Sequence, residues 1–208
     1  MKTIHVHDLD ILNRILERGL CHGSGDGKTT FCAEQAVAAV CGIPITDKPD
    51  ECVTPAVSAF GRRLNDARWE SERVRADGMR DFLIAQIGSK DVVDGREFAD
   101  RLIVQTVRRV LPIWLRHGKI DEALVVACES ATDLESARAA SVAARDAAWK
   151  TSAYAAAAAA YAAAAAAADA IRKATLPLSA SIAVEILRDL KSPGCELLAP
   201  PSSNTEAT

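Results

Sequence analysis

The sequence predicts an all-α protein: a bundle of roughly seven to eight helices that includes one long alanine-rich helix. Three observations carry that prediction. Apolar residues recur at spacings of three and four through most of the chain, glycines and prolines fall between those segments, and no segment shows the period-two alternation of a half-buried strand.

The elements follow in order. Asp8 is placed to cap a first helix through Arg18, with Leu9, Leu12, Ile15 and Leu16 on one face and Gly19 as its stop. A glycine-rich loop from Gly23 to Gly27 leads into a second helix, Thr30 to Cys41, which ends at Gly42-Ile43-Pro44. Helices are expected over 54–66 and 70–87, the latter with Gly78 as an interior weak point. The next begins at Asp94 or Gly95 and carries Phe98, Leu102, Val107, Val110, Leu111, Trp114 and Leu115. Pro112 kinks it or starts a new turn, and Gly118 breaks it. A short helix covers 120–129.

Thr132 and Glu135 then form a capping box. From 132 the chain is alanine-rich to Ala174 without a glycine or proline, which at 1.5 Å per residue predicts a helix of about 60 Å. Thr175 to Pro177 is expected to end it, and a last amphipathic helix carries Ile182, Ile186, Leu187 and Leu190. The expected organisation is therefore an N-terminal helical domain (1–129), the long helix (132–175), a C-terminal segment packing back (176–198) and a disordered tail (199–208).

Composition excludes several function classes. The net charge is −3, which argues against a nucleic-acid or anionic-membrane protein. Arg62, Arg63, Arg68, Arg73, Arg75 and Arg80 interleave with acids, whereas Arg108, Arg109, Arg116 and Lys119 form a cleaner basic cluster beside Trp114. The uncharged stretch Thr151 to Ala168 lacks the Leu, Ile, Phe and Val that drive membrane insertion. MKTIHVHDLDILNRILERG does not pair a basic start with an apolar run, so no secretion signal is expected. The expected location is cytoplasmic, with all six cysteines as free thiols.

The chemistry concentrates in HGSGDGKTTFCAEQAV, residues 22–37. Gly27-Lys28-Thr29 fits the end of a phosphate-binding loop, but His22 stands where its first glycine belongs, and the preceding element reads as helix. What survives is an anion site on the backbone of Gly25, Gly27, Lys28 and Thr29, with the Lys28 ammonium. Cys32-Ala33-Glu34 looks like half of a zinc deaminase signature, yet Cys52 has no paired cysteine, and Cys32 and Cys41 lie on opposite helix faces. No metal or other cofactor is expected. A Cys32 nucleophile with His22 as base and Glu34 nearby is the remaining catalytic arrangement, set against a simple buried thiol.

Along the long helix, Trp149, Tyr154 and Tyr161 are the aromatic residues, and the two tyrosines, seven apart, share a face. Alanine elsewhere lets another helix approach closely. These residues are the expected surface for a protein partner or for self-association. Trp69 packs the N-terminal bundle or lines a pocket.

The phrases GSGDGKTTFCAEQAV, CVTPAV, RLNDARW, GMRDFLIAQIGS and LKSPGCELL together resemble a family of bacterial and phage-encoded helical proteins with an Ala/Tyr-rich helix and a Ser-Pro-Gly-Cys ending. The resemblance covers most of residues 10–198. It implies a phage or prophage origin and a cytoplasmic site of action, and it transfers no catalytic residue, because the family has no established activity.

Overall fold

A computed structural model describes residues 6–152 and 158–198, with side chains described over 9–147 and 171–198. All secondary structure in the described residues is helical. The helices are α1 (Val6–Arg18), α2 (Ala33–Cys41), α3 (Pro55–Asn65), α4 (Glu72–Ala85), α5 (Gly95–Arg109), α6 (Leu111–His117), α7 (Glu122–Glu129), α8 (Leu134–Ser152) and α9 (Ala158–Asp189), followed by a 3-10 turn over Pro193–Leu197.

Several boundaries move for identifiable reasons. α1 begins at Val6, so Asp8 lies inside it. α2 begins three residues later than expected, because Thr30 is held by the preceding loop and Cys32 takes the extended N-cap position. Ser71 caps α4 by accepting from the Val74 amide. Pro112 occupies the first turn of α6, where its missing N–H costs nothing. The box that starts α8 is displaced by one residue: Asp133 accepts from the Ser136 amide, and the Ser136 hydroxyl accepts from the Asp133 amide.

The largest correction concerns Pro177. The chain does not stop there; α9 runs through it from Ala158 to Asp189. Burial of Ala180, Ile182, Ala183, Ile186 and Leu187 beyond the proline holds the helix together against the one backbone bond that Pro177 cannot donate. Residues 176–189 are the continuation of α9, and with the 3-10 turn Pro193–Leu197 they contact the N-terminal helices. Whether 132–175 forms one uninterrupted helix lies outside the described residues, as do Tyr154, the side chains of Trp149 and Tyr161, and the tail 199–208.

Two cores form. The first joins α1–α4, the second half of α9 and Phe98 of α5, and is built from Leu12, Leu20, Met79, Phe82, Leu83, Ile84, Ile87, Ile182 and Leu187 among others. Phe60 meets Phe82 and Phe98 edge to face. Trp69 is packed here, over Gly78, with its indole N–H donated to the Leu64 carbonyl at 2.8 Å. The second core joins α5–α8 through Val107, Leu115, Val125, Cys128, Ala131, Ala137, Ala140 and Ala144. Residue 129 is therefore no boundary between cores, since α5 to α7 share theirs with α8.

Ser192-Pro193-Gly194 has a structural task. An α-helix leaves its last carbonyls without partners. The Ser192 hydroxyl donates to the Ala85 carbonyl, and the Gly194 amide donates to Ile87 at 2.9 Å. A Cβ on residue 194 would stand 2.0 Å from the Ile84 oxygen, so only glycine permits this approach. Cys41 and Cys52 are joined as a disulfide, with Cα atoms 6.7 Å apart, because Gly42 turns the chain at the end of α2 and the loop brings Cys52 back. The expectation of six free thiols is thus corrected for this pair. Cys21, Cys32, Cys128 and Cys195 are free. No helix among the described residues is long and apolar enough to cross a membrane.

Replacing Gly194 with alanine is expected to destabilise the fold by about 1–3 kcal/mol, the usual cost of forcing extra volume into a packed contact, as read from urea unfolding. Alkylation of the denatured chain without reductant is expected to label the four free cysteines named above, and with reductant Cys41 and Cys52 as well.

Candidate functional site

The Gly23–Gly27 loop is organised by Asp26. Its Oδ1 accepts from the amides of Lys28 (2.8 Å), Thr29 (2.8 Å) and Thr30 (2.9 Å), and its Oδ2 accepts from the Thr29 hydroxyl at 2.6 Å. The Thr30 hydroxyl accepts from the Asp26 amide in return. These bonds, the Thr29 hydroxyl first, hold the Asp26 carboxyl far below the ordinary carboxylate range. The other expected anion ligands are also engaged. The Gly25 amide donates to Gln35 Oε1 at 2.9 Å, and the Gly27 amide donates to the Thr30 carbonyl at 3.0 Å. The anion at this loop is the chain's own side chain.

Gln35 fastens that loop to α2. Its Oε1 also accepts from the Cys32 amide, and its Nε2 donates to the Gly25 carbonyl. The Ala33 amide donates to Asn65 Oδ1, so the start of α2 is satisfied from within the protein.

The candidate catalytic residues separate. His22 is exposed, and among the described residues no hydrogen bond joins it to Cys32. Cys32 is buried, and burial pushes its thiol pKa up, the opposite of what a thiolate nucleophile requires. Among the described residues no group of three or more His, Cys, Asp and Glu side chains is placed to hold a metal ion.

Glu34 is the unexpected centre. Its position in α2 turns the carboxyl inward, where it is fully buried between α3 and α4. Gln86 Nε2 donates to Oε1 at 3.3 Å, and the nearby Ser58 hydroxyl favours the ionised form. Ser58 in turn accepts from Arg62 Nη1 at 2.7 Å. Oε2 has no hydrogen-bond partner. A Cβ at Gly61 would stand 2.1 Å from Glu34 Oε1, so glycine on α3 makes room for the carboxyl. Burial pushes the Glu34 pKa up to about 8, against the opposing pull of Gln86, Ser58 and Arg62. The carboxyl is therefore mostly protonated at neutral pH.

Glu34 and Cys32 form the floor of a cavity of about 40 Å3, whose walls and mouth are Gly23, Ser24, Asp47, Arg62, Asn65 and Asp66. The volume suits about three waters or one small polar group. Sequence reasoning named Glu34 for a role beside Cys32. It missed Ser58, Asp47, Arg62, Asn65 and Gln86, because contacts between α2, α3, α4 and the 42–51 loop leave no local spacing to read.

Two members of the basic cluster are paired with acids and a third is hydrogen-bonded to a carbonyl. Arg109 pairs with Glu185, Arg116 with Glu122 and Glu129, and Arg108 donates to the Glu129 carbonyl.

Two outcomes test this geometry. Asp26→Ala is expected to speed amide hydrogen exchange at Lys28, Thr29 and Thr30 by about tenfold or more, with Asp26→Asn in between. Glu34 is a raised carboxyl: its contribution to stability is whole below the unfolded pKa and is lost as pH rises towards 8. Denaturation midpoints are thus expected to fall from pH 5 to pH 8 by an amount worth up to about 4 kcal/mol, and Glu34→Gln is expected to remove this component.

No protein-family model matches the chain, and no curated protein or solved structure matches it either.

Proposed function

We propose that this protein acts by binding another protein chain, a partner or a second copy of itself, through its alanine-rich helical half, and performs no covalent chemistry of its own. The observation that carries the reading is the distribution of apolar side chains over α5–α8. The core of that half is built largely from alanines, and four large apolar residues remain outside it, one on each helix: Ile103, Trp114, Val126 and Val142. Val126 and Val142 are about half exposed, at 52% and 48%. A single exposed apolar residue needs no explanation. One on every helix of an under-filled half supports a surface completed by association.

The alanine-rich segments of α8 and α9 continue from this half, and Trp149, Tyr154 and Tyr161 remain the proposed anchors. The engagement of the loop amides by Asp26 and the protonated state of Cys32 weigh against the alternative, an anion-binding protein or hydrolase centred on Gly23 to Glu34. The resemblance in sequence phrases supports a phage or bacterial accessory factor. A cytoplasmic setting fits the free thiols, with Cys41 and Cys52 both shielded from solvent.

Light scattering is expected to show a multimer. Val126→Asp with Val142→Asp is expected to dissociate it while leaving the helical signal and the melting temperature nearly unchanged, as for exposed substitutions generally. Lys28→Ala and Cys32→Ala are expected to leave the assembly intact. A monomer with no partner, or a melting-temperature rise with phosphate or a nucleotide that Lys28→Ala abolishes, would overturn the reading.

A further inference from the structure

A second pair of cysteines meets beside the start of α2. The Cys21 amide donates to the Phe31 carbonyl at 3.0 Å. That carbonyl carbon is bonded to the Cys32 nitrogen, so bond lengths and the hydrogen bond together hold the Cα atoms of Cys21 and Cys32 within about 7 Å. A disulfide spans Cα separations up to roughly that value. The side chains also share a side. Successive residues of extended backbone point to opposite sides, and Cys32 is extended. Leu20 and Phe31 enter the first core, whereas Cys21 and Cys32 lie outside it. Gly23 connects the two thiols: its carbonyl accepts from Cys21 Sγ at 3.8 Å, and it lines the same cavity as Cys32. Burial, and to a smaller degree the Cys21 thiolate, pushes the Cys32 thiol pKa up, so each thiol lies within reach of the other's charge. Among the described residues no third His, Cys, Asp or Glu joins the pair as a metal set.

We propose that Cys21 and Cys32 are a redox-modification site, a dithiol that a small-molecule disulfide converts into a second intramolecular disulfide. Cys21 is half-buried and Cys32 is 3% exposed, which fixes the order of events. The Cys21 thiolate attacks one sulfur of the small disulfide, forms a mixed disulfide and releases the first thiolate. Cys32 then gives up its proton and attacks Cys21 Sγ, which forms the Cys21–Cys32 bond and releases the second thiolate. The protein loses two protons and two electrons, and the electrons leave on the two released thiols. Glu72 and Arg75 of α4 and Asp26 of the loop face Cys21, and Glu34 and Cys21 face Cys32. Burial, then the Glu72 carboxylate, pushes the Cys21 thiol up as well, so the exchange runs faster at alkaline pH. The partners are separated by 11 positions, as Cys41 and Cys52 are. Oxidation fastens α2 at both ends, through Cys32 at its N-cap and Cys41 in its last turn. In a reducing compartment such a bond forms transiently and reports the redox state.

The test is incubation of the folded full chain with oxidised glutathione at about pH 8.5, where a raised thiol is partly ionised. Acid quenching, alkylation in denaturant and peptide mapping by mass spectrometry follow. The expected result is a pair of segments joined through Cys21 and Cys32, with loss of most alkylation at both and none at buried Cys128. Dithiothreitol is expected to restore both thiols. Cys32→Ser, which keeps an oxygen at the N-cap, is expected to stop at the mixed disulfide, with glutathione held on Cys21. Cys21→Ser is expected to leave Cys32 unmodified, because burial bars direct attack on it. The map of the unsubstituted chain decides the proposal whether or not either variant folds. Glutathione retained on Cys21 there, with Cys32 still alkylated, would overturn it. So would a link from either cysteine to any other, or full alkylation of both after the treatment.

Discussion

The carboxyl group of Glu34 is where three helices of the N-terminal half agree on their positions. α2 supplies it, α3 makes room for it with Gly61 and offers Ser58, and α4 meets it with Gln86. Removing a carboxyl from water is costly unless it is protonated or well bonded, and this one combines partial bonding with protonation. Each partner then inherits a constraint. Gly61 excludes any side chain, Ser58 lies between Glu34 and Arg62 and accepts from Arg62, and Arg62 in turn reaches back to the 42–51 loop. A polar contact among the buried side chains of α2, α3 and α4 thus sets the spacing of the helices around it.

The two halves solve the packing problem with different materials. The first core uses Phe, Leu, Ile and Met, whose large buried areas stabilise it and whose shapes fix it. The second uses mostly alanine and valine, which bring backbones close but bury little area per residue. Peripheral ion pairs tie the second half to the first. Arg109 on α5 reaches Glu185, and Arg101 reaches Asp189, both on the far part of α9. Such exposed pairs orient more than they stabilise.

Helical content, the order of the elements and most of the core were legible in the sequence, because periodicities of three and four report directly which face is buried. Boundaries were less so. Pro177 reads locally as a stop, but Ile182, Ile186 and Leu187 bury enough area to carry the helix through it. Thr132 and Glu135 read as a capping box, and Asp133 with Ser136 competes successfully one residue on. The glycine loop was read as a source of free amides; in a sequence, nothing distinguishes an Asp26 that faces solvent from one that folds back on the three amides that follow it. The cavity was illegible for a different reason. Its residues come from four separate segments, and only the 22–37 stretch, with Gly23, Cys32 and Glu34, carried any local signal.

Pro177 has a mechanical consequence. α9 is held on both sides of that residue: Leu176 before it and Ile182 and Leu187 after it pack on the first core, Ile171 is buried, and Lys173 pairs with Glu70. From Ile171 the helix runs back to Ala158, a span of about 20 Å. The backbone bond that proline cannot make lies between these anchors. A bend of about 10° there would sweep the alanine end through roughly 5 Å and would have to pull Ile171 and Lys173 off their partners. Pro177 also lines a groove of about 300 Å3 against Asp77, Arg80 and Asp81 of α4. The direction in which the alanine segment points is therefore set by the anchors that flank one imino acid, Ile171 and Lys173 on one side and Ile182 on the other.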